Sequence, residues 1–217
     1  MKLGTPHIKD SDRERANLLE DLVAAVNAHD RYTGSHSYRT AAYASAVAHA
    51  LGYPPPAVEL VRQAALVHDI GKIGIPERIL RKTQELTDED RSLLRLHPDL
   101  GVSILSRLPG TAALLPIVLH HHEHWDGSGY PLGLRGTEIP IESRIILVAD
   151  SFDAITTQRP YSRMLEPAGA MEEIALCSGT QFDPLVVDAL HETHEAAALD
   201  GLGPRTIRIT DSEDRLP

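Results

Sequence analysis

Cysteine and aromatic residues are scarce in this sequence. The single cysteine, Cys177, excludes an internal disulfide bond and fits a reducing compartment. Aromatic residues make up 4% of the 217 residues, whereas hydrophobic residues make up 42%. A core of this composition must be built from Leu, Val, Ile and Ala, which is typical of packed helices.

Long apolar runs and basic runs are also absent. No apolar stretch approaches the length of a membrane span, and the N-terminus lacks the pattern of a signal peptide. We therefore expect a soluble, cytoplasmic protein with no membrane partner. The formal net charge of −10 argues against binding a nucleic acid polymer through its phosphates. An anionic substrate would need local positive charge, which bound metal ions can supply.

Hydrophobic periodicity predicts an all-α protein. Leu18, Leu19, Leu22, Val23 and Val26 recur at the spacing of one buried helix face. Further helices are predicted at about 36–50, 56–69, 87–96, 98–107, 112–123, 141–156, 167–177 and 183–198, with a short helical piece at Arg78 to Arg81. The apolar run at 145–149 would also suit a strand, but no partner strand is visible, which favours a helix.

The sequence suggests one domain with short extensions. We expect a disordered or extended lead-in at 1–10, a helical domain at 11–200 and a C-terminal tail at 201–217. Residues 125–140 are rich in glycine and proline and lack periodicity, which predicts a long loop. Loops of this length inside a compact domain are usually functional or disordered.

Histidine is over-represented, with 12 residues, four of them at 120–124. His68 and Asp69 form an adjacent pair at the end of an apolar run. An imidazole beside a carboxylate suits Mn, Fe or Zn, and a carboxylate can bridge two ions. Lys72 lies one helical turn further on, where it would meet an anion bound to the metals. Alone, such a pair is more often a helix cap or a surface hydrogen bond.

Five further candidate ligands stand at the ends or turns of separate predicted helices. They are His36, His97, His121, His122 and Asp150. Adjacent histidines on a helix point about 100° apart, so both reach one cluster only at their shared edge. Two ions bridged by a carboxylate meet that condition. Seven candidates favour two ions over one zinc, which takes three or four protein ligands.

Several ordered motifs carry a family resemblance. They are Thr33-Gly-Ser-His36, His68-Asp-Ile-Gly-Lys72, His97-Pro98, His121-His-Glu-His-Trp-Asp-Gly-Ser-Gly129-Tyr-Pro131, Asp150-Ser-Phe-Asp153, Arg159-Pro-Tyr-Ser-Arg163 and Phe182-Asp-Pro184. With these motifs the chain resembles the HD-GYP family, a branch of the HD-domain metallophosphohydrolases that hydrolyses cyclic di-GMP. The resemblance covers roughly residues 18 to 190. It implies an HD-domain helical bundle with a long Gly/Pro-rich loop after the paired histidines.

The resemblance also implies a metal-dependent phosphodiesterase. Its substrate would be cyclic di-GMP, opened to pGpG and further to GMP by a hydroxide that bridges two divalent ions, with Asp69 and Lys72 as catalytic residues. One ion would be held by His36, His68, Asp69 and Asp150, the other by Asp69, His97, His121 and His122. Iron or manganese fits these ligands best, and zinc or nickel also suits them.

By the same resemblance, the substrate would be bound by Lys72, Gly129, Tyr130, Asp153, Arg159 and Arg163. The alternative for Arg159 and Arg163 is an ordinary helix-face pair with Asp153 or Glu166. Some members of the family bind a third ion through a glutamate, but here Tyr32 stands at that position, so we expect two ions. Asp30 or Glu123 remain the alternatives for a third.

The partners implied by the resemblance are a cyclic dinucleotide, a diguanylate cyclase or a sensory or receiver module, and a second copy in a homodimer. Two other functions stay open at this point. The same metal site would serve an HD-type phosphohydrolase acting on another nucleotide. A sensor or adaptor that binds cyclic di-GMP without turnover would use the same pocket.

Overall fold

The computed structural model describes residues 17–24, 26, 35–157 and 164–199, and these ranges are built from helices. Residues 17–24 and 26 are helical. Nine more α-helices follow in the described ranges: α1 (His36–Ala50), α2 (Pro55–Val67), α3 (Glu77–Leu80), α4 (Asp88–Leu94), α5 (His97–Leu105), α6 (Leu115–Leu119), α7 (Ile141–Thr156), α8 (Pro167–Leu176) and α9 (Pro184–Leu199). Short 3-10 turns span Ile70–Gly74 and Gly136–Glu138. The all-α prediction is confirmed.

The core lies between α1, α2, α7 and α9, and it consists of aliphatic side chains as the composition predicts. Val47 of α1, Val61 of α2 and Ile145 of α7 are fully buried. The apolar run at 145–149 lies in α7, which confirms the helical interpretation. None of the helices within the described ranges has the length and apolar character needed to cross a membrane. The predictions for 1–10 and 201–217 lie outside the described residues.

Capping and proline set several helix ends. Thr87 caps α4, because its side chain accepts from the Asp90 amide at 3.2 Å while the Asp90 carboxylate accepts from the Thr87 amide at 3.3 Å. The helix predicted at 56–69 ends at Val67, so His68 and Asp69 follow it in a turn. Pro98 lies in the first turn of α5, where its missing N–H costs no helical hydrogen bond.

The helix predicted at 112–123 is much shorter. Helix α6 begins at Leu115, with Pro116 in its first turn, and ends at Leu119. His120 adopts φ −104° and ψ 11°, which leaves the helical region. The paired histidines therefore stand in a turn after the helix. Because the Tyr130 amide donates to the His122 carbonyl at 3.1 Å, the following loop folds back onto that turn.

Candidate metal centre

Six of the seven predicted ligands lie at helix ends or in turns, whereas Asp150 lies within α7, and all seven come together in one largely buried cluster. One ligand atom from each of Asp69, His97, His121 and His122 lies within 4.8 Å of the others. The same holds for His36, His68 and Asp69. Asp150 joins the second group, since its Oδ1 atom is 3.0 Å from His36 Nε2 and 4.0 Å from His68 Nε2.

Asp69 belongs to both groups, and its two oxygens face different neighbours. Oδ1 is 3.4 Å from His97 Nε2, and Oδ2 is 3.4 Å from His68 Nε2. Lys72 also contacts Oδ2, with its Nζ atom at 2.6 Å. A carboxylate whose oxygens point at two separate ligand sets is placed as a bridging ligand requires.

Gly71 allows this approach. A Cβ atom at Gly71 would lie 1.9 Å from the His97 carbonyl oxygen and 2.5 Å from the Gly101 amide nitrogen. No other residue fits at this distance without moving the backbone. The turn that carries Asp69 can therefore pack directly against α5, which carries His97.

Backbone carbonyls hold three of the histidine rings. The Nδ1 atoms of these rings contact the carbonyl oxygen three residues earlier in the chain: His68 to Ala65 at 2.6 Å, His97 to Leu94 at 2.8 Å and His121 to Val118 at 2.6 Å. A carbonyl oxygen only accepts, so each Nδ1 must carry the hydrogen. In a neutral ring, Nε2 then presents its lone pair to the cluster, which is the form that binds a metal.

The arrangement of these lone pairs fits a cation. The Nε2 atoms of His97 and His121 are 3.2 Å apart, and in neutral rings with the hydrogen on Nδ1 neither can donate to the other. His68 Nε2 is buried without a hydrogen-bond partner among the described residues. Buried polar atoms normally have partners, so orphaned nitrogens that face carboxylates indicate a metal site.

The two groups of the cluster differ in the protonation of their residues. One group consists of Asp69, His97, His121 and His122. Burial and the neighbouring imidazoles lower the pKa of His121 far below its usual value and that of His122 to about 3. Burial also lowers the pKa of His97. Burial would raise the pKa of Asp69, but the Lys72 ammonium and His68 hold it well below its usual range. Neutral imidazoles and an ionised carboxylate are the forms that metal ligation needs.

The other group carries more negative charge. Burial opposes protonation of His36, but its hydrogen bonds to Asp150 and Asp153 raise its pKa to about 9. Burial would also raise the pKa of Asp150, whereas its hydrogen bond and attraction to His36 hold that pKa well below its usual range. Carboxylates crowded into a buried site thus attract positive charge, and a divalent ion can supply it.

Asp153 lies behind His36, on the side of the ring away from Asp150, and its predicted contact with the substrate stays a prediction. Its carboxylate is 1% exposed and accepts from His36 Nδ1 at 2.7 Å. Arg39 holds the same carboxylate with Nε at 2.5 Å and Nη2 at 3.0 Å. A carboxylate bound to the distant nitrogen of a metal-ligating histidine fixes the orientation of the ring and strengthens it as a ligand.

The loop after the histidine pair is tied to the cluster by its backbone. A Cβ atom at Gly129 would lie 2.2 Å from the His124 amide nitrogen and 2.5 Å from the His122 carbonyl oxygen, so this position requires glycine. The next residue, Tyr130, stacks on His122 with ring centroids 4.8 Å apart. Gly129 thus brings the Tyr130 ring to the edge of the cluster.

Glu123 anchors the same loop. Its carboxylate is 1% exposed and accepts from the Leu132 amide at 2.8 Å and the Leu134 amide at 3.1 Å. Both carboxylate oxygens are therefore occupied by the loop backbone, which does not favour the alternative in which Glu123 holds a third ion. The predictions for Asp30, Tyr32, Arg159 and Arg163 lie outside the described residues.

The sequence analysis did not predict Arg39 or Arg95 as part of the site, and it did not predict that Glu123 anchors the loop. A spacing signal existed for the first. Arg39 follows His36 by three residues, and Asp153 follows Asp150 by three, so each pair shares a helix face. The signal for Arg95 is its place two residues before His97. For Glu123, burial of an acid beside two metal-ligand candidates is visible only in the fold.

An all-α bundle with a buried cluster of histidines and aspartates is the arrangement of an HD-domain protein. A family model described as HD domain matches residues 16–186. The chain therefore belongs to the HD-domain family, and its resemblance to the HD-GYP branch is confirmed by its relatives.

One relative is the cyclic di-GMP phosphodiesterase response regulator RpfG of Xanthomonas campestris, 40% identical over 183 residues, with 82% of this chain and 48% of the relative covered. Another is the 3'3'-cGAMP-specific phosphodiesterase 2 of Vibrio cholerae, 37% identical over 177 residues, with 81% of this chain and 34% of the relative covered. The chain thus spans between a third and a half of the length of these relatives.

The fold is also that of a solved structure, a cyclic GMP-AMP specific phosphodiesterase of Vibrio cholerae named V-cGAP3. The two share a TM-score of 0.63 at 22% sequence identity, and the match covers 85% of this chain and 50% of the other. At this identity the likeness concerns the fold alone.

Proposed function

We propose that this chain is a phosphodiesterase that uses two divalent metal ions to hydrolyse cyclic di-GMP to pGpG, and pGpG further to GMP. The observation that carries the proposal is Asp69, whose two oxygens face two separate sets of ligand atoms at 3.4 Å. Relatives at about 40% identity named as cyclic di-GMP phosphodiesterases support the substrate class.

The proposed ligand sets follow the two groups of the cluster. His36, His68, Asp69 and Asp150 would hold one ion, and Asp69, His97, His121 and His122 the other. When bound, such ions lower the pKa of water and stabilise negative charge on a phosphodiester. Nitrogen and carboxylate ligands suit iron or manganese, and also zinc or nickel.

Lys72 is proposed to act directly on the substrate. Its ammonium already lies at the cluster, 2.6 Å from Asp69 Oδ2. A substrate phosphate placed at the cluster would meet this cation, which would stabilise charge that develops on the non-bridging oxygens. Asp69 keeps Lys72 close to the reacting phosphate, and Lys72 in turn keeps Asp69 ionised.

Two other predicted substrate residues receive supporting roles in this proposal. Asp153 would orient His36, because its buried carboxylate is fully engaged by His36 and Arg39. Gly129 would let the loop pack against the histidine turn, and Tyr130 would then form a wall of the substrate pocket. Burial and the nearby Asp69 charge raise the pKa of Tyr130 above its usual value, so its hydroxyl stays protonated and able to donate to a phosphate.

The test is hydrolysis by protein of defined metal content. Protein purified without added metal would be loaded with Mn²⁺, or with Fe²⁺ in the absence of oxygen, and incubated with cyclic di-GMP. We expect pGpG and then GMP in the chromatogram from the loaded protein, and neither product from Asp69→Ala. Absence of hydrolysis with both Mn²⁺ and Fe²⁺ would refute the proposal. Tight binding with the ligand intact after hours would instead favour the sensor function.

A second substrate is favoured by one specific observation. The relative at 37% identity is named as specific for 3'3'-cGAMP. Cyclic di-GMP and 3'3'-cGAMP should therefore be assayed side by side, and kcat/KM compared. A higher value for 3'3'-cGAMP would move the proposal to that substrate while leaving the reaction unchanged.

A further inference from the structure

Arg95 stands at the edge of the cluster without an assigned role. It follows α4 in the turn before α5, two residues before His97, and its side chain is exposed. Its guanidinium carbon lies 5.2 Å from the centre of the Tyr130 ring. Since Tyr130 stacks on His122, only one side chain separates Arg95 from a predicted metal ligand.

Arg95 differs from the other cations at the site because no carboxylate among the described residues pairs with it. Arg39 is held by Asp153, and Lys72 is held by Asp69. Within the ranges that the structure describes, Arg95 forms neither an ion pair nor a side-chain hydrogen bond. An aromatic face attracts a cation without accepting all of its N–H donors. Arg95 therefore presents a positive charge and a planar set of donors beside the cluster.

The substrate class creates a need for such a group. A cyclic dinucleotide carries two phosphodiester groups, and only one of them can be hydrolysed at the cluster at a time. The other keeps its negative charge in a protein whose formal net charge is −10. Arginine suits this task because its fork of donors matches the oxygens of a phosphate.

We propose that Arg95 binds the second phosphodiester of the cyclic dinucleotide, the one that is not being cleaved. The inference rests on the proposed function. The contact between Arg95 and Tyr130 holds the guanidinium near the cluster. The metal-loaded cluster and Arg95 then form two separate cationic regions, which favour a substrate that carries two phosphates. Arg95 thus contributes to recognition of a cyclic dinucleotide in general and does not read the base.

The test compares Arg95→Gln with wild type on three substrates. For Arg95→Gln we expect the KM for cyclic di-GMP to rise at least about tenfold, and the KM for 3'3'-cGAMP to rise by a similar factor. The kcat should change less than about twofold for both. For bis(p-nitrophenyl) phosphate, which has a single phosphodiester, we expect no change in KM. Arg95→Lys keeps the charge but not the forked set of donors, so its KM for each dinucleotide should lie between the values of wild type and Arg95→Gln.

A matched control removes the same charge elsewhere. Arg107 is also exposed and lies beyond the opposite end of α5, and Arg107→Gln should leave all three KM values unchanged. Metal content should equal that of wild type in every variant. An unchanged KM for cyclic di-GMP in Arg95→Gln would overturn the proposal. Equal losses on all three substrates, or a loss that differs between the two dinucleotides, would also overturn it.

A binding measurement keeps failure of this inference apart from failure of the proposed function. Calorimetric titration of metal-free protein with cyclic di-GMP gives a Kd in the absence of turnover. If metal-loaded wild type binds without hydrolysis, the proposed function fails, yet at least about tenfold weaker binding by Arg95→Gln would still support the role of Arg95. Equal Kd values for wild type and variant would overturn that role.

Discussion

Replacement of Asp153 by asparagine tests how the cluster is held from behind. The change keeps the size of the side chain and removes its charge. In the structure, three N–H donors point at this carboxylate: His36 Nδ1 at 2.7 Å, Arg39 Nε at 2.5 Å and Arg39 Nη2 at 3.0 Å. An amide offers one oxygen, and its nitrogen would face one of these donors. If the oxygen stays with His36, the amide nitrogen meets Arg39.

The size of the effect follows from these contacts. Loss of a carboxylate bound to a ligating histidine typically weakens metal affinity 10- to 100-fold, or about 1.4 to 2.7 kcal/mol. The buried donor left without an acceptor should also lower the free energy of unfolding by about 1–3 kcal/mol. Only the ion assigned to His36 should be affected, because the carbonyls of Leu94 and Val118 hold His97 and His121 independently.

The assay is metal titration of metal-free Asp153→Asn in competition with a fluorescent chelator, together with elemental analysis after gel filtration. We expect two ions per chain in wild type, and one tight and one weakened ion in the variant. Asp183→Asn is the matched control. Asp183 is also a buried aspartate bound to an arginine of α7, Arg144, but it contacts none of the seven predicted ligands among the described residues.

The control variant should lose stability, measured by urea unfolding, and keep both ions. Arg39→Gln should weaken the same ion as Asp153→Asn, by a smaller factor, because Arg39 acts on His36 only through the carboxylate. Two ions bound with wild-type affinity by folded Asp153→Asn would refute the positioning role of Asp153. Equal loss of metal in Asp183→Asn would show that general destabilisation explains the effect.

Three more predictions concern the cluster and its loop. Asp69→Ala should lose both ions and all hydrolysis, whereas Lys72→Ala should keep the ions and lose rate; elemental analysis and kcat separate the two, and full metal loss in Lys72→Ala would contradict its assigned role. Tyr130→Ala should raise KM with little change in metal content, and an unchanged KM would count against its place in the substrate pocket. Glu123→Gln should lower the free energy of unfolding by about 1–3 kcal/mol, measured by urea titration. The amide has one oxygen that can accept, so one of the two loop N–H groups would face its nitrogen, which cannot.

The fold could be predicted from the sequence because hydrophobic periodicity is strong. The aliphatic run of α7 and the Thr87 cap of α4 are local signals, and both agree with the structure. The length of α6 could not be read locally, because Ala112, Ala113 and Leu114 continue its apolar pattern on the N-terminal side, although they lie in a turn. Its end depends on the loop that returns to His122, which is a contact between residues eight apart.

The candidate site was predicted as a set of residues but not as an arrangement. The motif supplied all seven candidate ligands, and the structure brings them together. The resemblance placed Asp153 with the substrate residues, and that contact stays a prediction. The short spacing from Asp150 does not say which side of the cluster Asp153 faces. Packing of α1 against α7 decides this, since it brings His36 and Arg39 onto the Asp153 carboxylate.

The placement of three candidate ligands, His68, His97 and His121, just beyond helix ends has a physical cause. The last carbonyls of a helix lack an N–H partner within the helix, and they are therefore available to a side-chain donor. Ala65, Leu94 and Val118 belong to the last turns of α2, α4 and α6, and each accepts from the histidine three residues later.

Pro98 extends the same argument to His97. A residue with an N–H at position 98 could donate to the Leu94 carbonyl four residues earlier and continue the helix, but proline has no such donor. The carbonyl is thus left to His97 Nδ1, which contacts it at 2.8 Å. The histidine then has one tautomer with its lone pair on Nε2, aimed at Asp69. The His97-Pro98 pair therefore begins α5, leaves the last carbonyl of α4 to the histidine side chain and fixes the tautomer of a candidate metal ligand.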